Sequence, residues 1–302
     1  MVASLSVCIS GELRHFELTG AALVDAVQPT LPATWVAAVN VPALSYVPAA
    51  RSSLREVLPN GALVDVRVLD LNRSARCSDT RGLAQALGLV QCWTMLRARG
   101  PFTFTAWLLR TRPDVVLPWR FVSLPTLRST VNLVVAGYVG GCACPAIGTP
   151  RHCAADGYHG CVEDNTALIH GVDAQRAYLQ GYYDDFAPAD GRSVCSTPDS
   201  PQRRHRLMCP TCREGALRGA CGECKLGATL AARSIRSYGL APLFNTSAPA
   251  IVRKPPLNVS SSVFSLLRHE PVPVTSADLR RALQSAECSQ CAPLPAEAFE
   301  AT

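Results

Sequence analysis

The sequence predicts an α/β protein, with a mostly parallel central sheet flanked by helices, on three observations. Short apolar runs rich in Val, Ile and Ala recur along its first half. Segments of helical periodicity separate those runs, and the fourth run breaks off at a charged pentapeptide, Arg110-Thr111-Arg112-Pro113-Asp114. Such alternation sets strands side by side in parallel, with crossover helices on the sheet faces. At 302 residues, 48% hydrophobic and 17% charged, the chain can bury a sizeable core and is too apolar for a disordered one.

Leu5 to Ser10 reads as a buried first strand. Gly11 follows at once, and then a helical pattern with Leu13, Phe16, Leu23, Val24 and Val27 on one side. A strand ending in Ser10-Gly11 ahead of a helix offers backbone N–H groups to an anion, with Arg14 in the helix's first turn. The same turn is also a common structural connection. A second strand is expected over residues 34–41, a short helix over 50–57, a third strand over 62–69 and a polar loop over 70–80. Residues 81–99 carry the clearest helical pattern, with Leu83, Leu87, Val90, Trp93 and Leu96 on one broad apolar face and Gly100-Pro101 ending it.

The central strand is expected over residues 104–109. Pro113 lacks an N–H and biases Arg112 toward extended backbone, so the strand ends here with Arg110, Arg112 and Asp114 at its carboxyl end. Open α/β sheets bind ligands at that edge. Arg110 and Arg112 are two positions apart and so share one face of a regular strand, an arrangement that calls for a dianionic ligand or carboxylates between them. Guanidinium forks suit phosphate or carboxylate, and Asp114 can hold a divalent cation or orient a hydroxyl. The plainer alternative is an Arg–Asp ion pair that ties down a loop.

A fifth strand is expected over residues 129–138. Residues 140–160 are irregular, and Cys142, Cys144, His152, Cys153 and His159 invite a zinc reading without matching a standard ligand spacing. Glu163-Asp164-Asn165 then runs into an apolar stretch. The two carboxylates can supply a general base or a metal ligand, or Asp164 can cap a turn. His170 alone reads as a packed or surface histidine. A helix is expected over 173–186, with Tyr178, Leu179 and Tyr182 inward.

Cys209-Pro210-Thr211-Cys212 and Cys221-Gly222-Glu223-Cys224 are separated by eight residues. Paired units of this kind bind zinc in a reducing compartment and form disulfides in an oxidising one; compartment logic favours disulfides here. A further pair, Cys288 and Cys291, follows. The second unit opens a helix expected over 225–238. The rest reads as a proline-rich loop, a short strand over 262–268, a helix over 279–286 and a disordered tail after Pro293.

The net charge of +6 suits an anionic ligand, but the arginines are scattered and form no block of the kind that coats a nucleic acid. Only Lys225 and Lys254 are lysines, a skew that GC-rich coding explains. No P-loop, nucleophile elbow or His-Glu-x-x-His is present, and no segment reads as transmembrane. Residues 1–10 read as the first strand rather than a leader, leaving either a cytosolic protein or one whose leader is missing from this sequence. The 14 cysteines, and sequons at Asn72, Asn245 and Asn258, favour a glycoprotein of the secretory lumen, such as the Golgi, over the cytoplasm.

Taken together, Ile9-Ser10-Gly11-Glu12-Leu13-Arg14, Gln91-Cys92, Arg110-Thr111-Arg112-Pro113-Asp114, Glu163-Asp164-Asn165, and Glu223 opening a helix that leads into Gly239-Leu240 resemble a group of glycosyltransferase-like proteins of algae, plants and bacteria. These have a GT-A-type, Rossmann-like nucleotide-sugar-binding fold. The resemblance implies a domain over residues 1–245, with cysteine-rich insertions near 140–161 and 209–224, and a C-terminal extension over 246–302. It implies transfer of a sugar from a nucleoside diphosphate donor to a hydroxyl of a glycan, protein or lipid, commonly with Mn²⁺ or Mg²⁺. Ser10, Gly11, Arg14, Arg110 and Arg112 fall where the donor binds, Asp114 where the cation binds, and Asp164 with Glu163 where the catalytic base sits. Many GT-A enzymes present Asp-x-Asp at this strand end, whereas Arg112-Pro113-Asp114 offers one carboxylate. The alternative is a catalytically inactive, cysteine-rich interaction protein on a degenerate glycosyltransferase scaffold, held by disulfides or zinc.

Overall fold

The computed structural model describes residues 5–27, 31–68, 80–99, 106–136, 139–140, 161–162, 165–184, 226–227, 229–230, 233–239, 250–251, 270–285 and 293–300. Its strands are β1 Leu5–Glu12, β2 Ala33–Val41, β3 Leu63–Val68, β4 Trp107–Thr111, β5 Val115–Val116, β6 Trp119–Phe121, β7 Leu133–Ala136, β8 Val139–Gly140, β9 Cys161–Val162, β10 Thr166–His170 and β11 Arg236–Gly239, with two short C-terminal strands beyond. Its centre is a seven-stranded sheet in the order β11-β7-β10-β4-β1-β2-β3. Only β10 runs against its neighbours, β4 and β7, so the sheet is mostly parallel as the sequence predicts.

Helices cover both faces. On one side α1 (Phe16–Val27) and α2 (Val47–Val57) pack Phe16, Leu23 and Leu54 against Val7, Ile9 and Leu109. On the other, α3 (Thr80–Ala98) packs Leu89, Cys92 and Trp93 against Cys8, Val36 and Leu108. Strands buried on both faces read as continuous apolar runs, which is why β1 and β4 were the most legible elements. The buried face of α3 is Ala86, Leu89, Cys92, Trp93 and Leu96, while Leu87 and Val90 are only half-buried. Gly88 faces the sheet at the end of β1: a Cβ there would make ordinary contacts, 3.5 Å from Ser10 Cβ and 3.6 Å from the Gly11 nitrogen.

Several expectations need correction. The central strand is β4, Trp107–Thr111, shifted so that Arg110 and Thr111 are sheet residues instead of the loop beyond it. The apolar run after Asn165 is β10 itself. Where a helix was expected over 225–238, helical residues occur at Leu226, Gly227, Thr229 and Leu230, and β11 then pairs with β7. The open edge of β7 supplies a hydrogen-bonding ladder that outweighs local helical pattern. The helix expected over 173–186 is α4 (Val172–Arg176), a π-helical segment (Ala177–Gly181) and a last turn, α5 (Tyr182–Asp184).

The C-terminal part also departs from expectation. The strand Val272–Val274 pairs with Trp119–Phe121, and the helix Ser276–Ser285 buries Leu279 and Leu283 in the same core as α1 and α2. In place of a disordered tail, Leu294, Ala298 and Phe299 join that core, and Phe299 bridges to Leu127. The strand expected over 262–268 and all three sequons lie outside the described residues, as do the paired cysteine units at 209–224, the pair at 288–291 and the cysteines and histidines of 141–160.

One disulfide is present among the described residues, and it joins cysteines that no spacing rule singled out. Cys8 in β1 and Cys92 in α3 are bonded, 84 positions apart in sequence and both fully buried. It fixes the crossover helix to the central strand.

Opening a loop of that length in the unfolded chain gives the chain-entropy model a contribution of about 4–5 kcal/mol. Cys8→Ala/Cys92→Ala is therefore expected to lose stability of that order in denaturant titrations. Mass spectrometry should find both cysteines protected from alkylation until reductant and denaturant are added together; free thiols at both in the native protein would rule the bond out.

Candidate functional site

The chain leaves β1 for β2 on one side of the sheet and later returns to place β4 on the other side of β1. That reversal is a topological switch point, and the crevice beyond the carboxyl ends of the two strands is where open α/β sheets bind ligands. Ile9 pairs with Thr111, so Gly11 and Asp114, each beyond its partner, open onto the same edge.

The β1 side is built differently from the sequence expectation. The strand continues through Gly11 to Glu12, opposite Asn40, and α1 starts only at Phe16. Arg14 therefore sits in a loop ahead of the helix and not in its first turn. Gly11 has φ +136°, and a Cβ there would meet Pro113 Cδ at 3.6 Å and Arg112 Cγ at 3.7 Å. Those are ordinary contacts, so the backbone angle, not space, requires glycine. His15 has φ 51°, in the left-handed region that non-glycine residues rarely occupy. The Thr19 hydroxyl donates to the Pro113 carbonyl and ties α1 to the β4 turn.

The Arg14 guanidinium, 39% exposed, pairs with Glu12. That hydrogen bond holds its pKa above the usual value, against the opposing effect of burial, and the negative charges of Glu12 and Asp114 add to the rise. Its Nε is buried without a hydrogen-bond partner.

On the β4 side the two arginines diverge. Arg110 is fully buried inside the sheet, and its Nε donates to Ser10 Oγ at 3.4 Å, so it and Ser10 are core residues bridging β4 and β1. Arg112, 24% exposed, forks Asp114: Nε to Oδ1 at 2.9 Å and Nη2 to Oδ2 at 2.7 Å. Its Nη1 donates to Asn165 Oδ1 at 3.0 Å. Asp114 is 1% exposed. This is the ion-pair anchor that the sequence left open beside the ligand-binding reading. Asn165, just ahead of β10, completes it; it stood in the motif pattern without a role. Glu163 and Asp164 lie outside the described residues, as do Cys209, Cys212, Cys221 and Cys224.

A divalent cation fits this arrangement poorly. Both Asp114 oxygens already accept from Arg112, and no group of three or more His, Cys, Asp or Glu gathers as a metal site among the described residues.

Beside the crevice, on the α3 face, lies a cavity of ≈ 200 Å³ lined by Asn40, Asp65, Arg67, Leu87, Gly88 and Gln91, among others. Strand alternation puts Asn40, Asp65 and Arg67 on the α3 side of β2 and β3. Gly88 lines the cavity and also abuts Gly11, so the two spaces adjoin. The sequence signal for it is the alternating polar residues, Asn40, Asp65 and Arg67, within two otherwise apolar strands.

At the opposite edge, His170 is 1% exposed, donates from Nδ1 to the Val131 carbonyl at 2.7 Å and meets the Trp107 ring edge-on at 4.8 Å. Burial pushes its pKa below the usual histidine value, opposed by the Val131 hydrogen bond and the charge of Glu300. Of the packed and surface positions that the sequence left open, it takes the packed one.

No protein-family model matches the chain, and a search of curated proteins returns no significant relative.

Two tests follow from this geometry. Arg112→Ala strands a buried carboxylate, which costs about 3–5 kcal/mol, and should lower the melting temperature sharply. Arg112→Gln/Asp114→Asn, which removes both charges, should recover much of that loss; equal melting temperatures for Arg112→Ala and wild type would exclude the anchor. For His170 the unfolded chain takes up the proton first, so the neutral ring's contribution is complete above about pH 6.5 and falls away as pH drops toward the folded-state value. His170→Phe should show a shallower decline in melting temperature between about pH 6.5 and 5 than wild type does; parallel curves would exclude the linkage.

Proposed function

We propose that the protein is a glycosyltransferase that takes a sugar from a nucleoside diphosphate donor and passes it to a hydroxyl of a glycan, protein or lipid. The observation that carries this reading is the switch-point crevice: β1 and β4 end side by side, and the loops beyond them bring Arg14 and Arg112 to one edge. When the glycosidic bond breaks, negative charge grows on the departing diphosphate, and fixed cationic donors aimed there lower the barrier. Arg14 and the exposed part of Arg112 are the groups available for this role. Gly11 supplies the positive φ with which the chain turns off β1 at that edge. The adjoining cavity, where the amides of Asn40 and Gln91 and the Asp65–Arg67 ion pair sit among apolar residues, offers hydrogen-bonding partners to the nucleoside. Glu163 and Asp164, next to Asn165, are assigned the deprotonation of the acceptor hydroxyl. The buried Cys8–Cys92 bond supports folding in an oxidising compartment, and so a secretory-lumen site of action.

A second reading, a binding scaffold without transfer activity, draws support from the same site. Arg110 is committed to the core, and Arg112 spends three donors inside the protein.

A thermal-shift panel of nucleotide sugars separates binding from none. Ligand at 100 times its Kd stabilises by about 2.7 kcal/mol through mass action, a readily measured rise in melting temperature. Release of free nucleoside diphosphate from the stabilising donor would then mark transfer or slow hydrolysis. Stabilisation without release would favour the scaffold, and flat curves for every donor would remove the nucleotide reading.

A further inference from the structure

We propose that the Arg112 guanidinium holds, on Asp114, the place a divalent cation would take, so that the switch-point crevice accepts its anionic ligand without metal. The identity of that anion as a nucleoside diphosphate rests on the function proposed above; the occupation of Asp114 by Arg112 does not.

The argument starts from the carboxylate. Asp114 is 1% exposed, and its two oxygens take one N–H each from a single planar guanidinium at 2.9 and 2.7 Å. This fork-on-carboxylate geometry is the strongest arrangement the two groups can make. A cation arriving from water would have to break both hydrogen bonds, shed part of its own hydration and leave a guanidinium of the same sign beside it. Asn165 holds Nη1 at 3.0 Å on the other side, so Arg112 has no free rotation by which to yield.

The same count shows what Arg112 keeps. A guanidinium carries five N–H donors. Asp114 and Asn165 take three, leaving one on each terminal nitrogen, on a side chain that is 24% exposed. A metal that neutralises a diphosphate anchors on a carboxylate behind and meets phosphate oxygens in front; Arg112 is anchored on Asp114 and retains donors for an oxyanion. Arg14, held by Glu12 on the β1 side and within electrostatic reach of Asp114, supplies a second guanidinium at the same edge.

The experiment has two arms on the full-length protein. In the first, Mn²⁺ alone is titrated and free ion is followed by electron paramagnetic resonance. Wild type and Asp114→Asn are expected to leave the same free-ion signal; one equivalent bound by wild type and lost in Asp114→Asn would overturn the proposal. In the second, thermal shifts by UDP, GDP and ADP are compared in EDTA and in Mn²⁺. The same diphosphate should stabilise equally in both, and Arg112→Gln/Asp114→Asn, chosen to spare the fold, should weaken it by about ten- to hundredfold, the loss of a charge-assisted hydrogen bond. A shift that appears only with Mn²⁺ overturns the proposal while leaving the nucleotide reading intact. No shift under either condition overturns the nucleotide reading and the anion half of the proposal together, and the Mn²⁺ titration still decides what Asp114 holds.

Discussion

Asp114 is almost entirely removed from water, and a charge in that position is costly unless it is paired and hydrogen-bonded. The construction at the carboxyl edge serves that requirement. Pro113 turns the chain so that Arg112 and Asp114, two positions apart, can face each other. Gly11, at φ +136°, turns β1 beside that loop, and Thr19 clamps the Pro113 carbonyl from α1. Asn165 joins the pair to β10. Three regions far apart in sequence, residues 11–19, 112–114 and 165, thus converge on one ion pair. Loss of either charge would disturb the end of β4, the entry to α1 and the start of β10 together.

The fold was legible where burial was two-sided. β1, β2 and β4 are apolar on both faces, so no register or periodicity had to be guessed, and the parallel order followed from alternation alone. Legibility failed at strand ends. The change from Leu109 to Arg110 reads as the end of the strand, because a fully buried arginine is rare. In the fold its Nε donates to Ser10 Oγ on the neighbouring strand at 3.4 Å, a pairing across the sheet that no local reading can supply. β11 failed for a different reason: its short segment follows a helical pattern, and the sheet edge that captures it is contributed by β7, a hundred residues away in sequence on the order of magnitude that local reading cannot reach. The C-terminal segment failed similarly, since Leu294 and Phe299 look like scattered apolar residues until the core they enter is known.

The candidate site was half legible. The edge, Gly11 and the Arg112–Asp114 pair could all be located from the pentapeptide and the switch-point rule. Their state could not, because the same residues in the same order serve an ion pair or an open ligand site, and only the orientation of a guanidinium separates the two. The cysteines teach the converse. Short spacing marks the paired units for local chemistry, while Cys8 and Cys92, which have no sequence relation, form a bond because β1 and α3 are pressed together. A disulfide between elements that distant is a property of the fold and carries no local signature.

A crevice charged by guanidinium groups behaves differently from one charged by a metal. Arginine remains protonated at any physiological pH, so the site's positive charge does not depend on ion supply or mild acidification. The protein holds that charge in place, however. Arg112 is fixed by Asp114 and Asn165, and Arg14 by Glu12, so the donors cannot shift to follow charge as it moves during bond breaking. Preorganised groups stabilise a transition state only when they already point at the atoms where charge develops. Each arginine here is also partly neutralised by its own carboxylate, which weakens its pull on a ligand at a distance and leaves short-range hydrogen bonding to provide most of the attraction. Under the proposed function such a site would select for the shape of the anion more than for its total charge, because a planar fork that offers two separate N–H groups suits a ligand with several oxygens at fixed spacing better than a simple anion of equal charge.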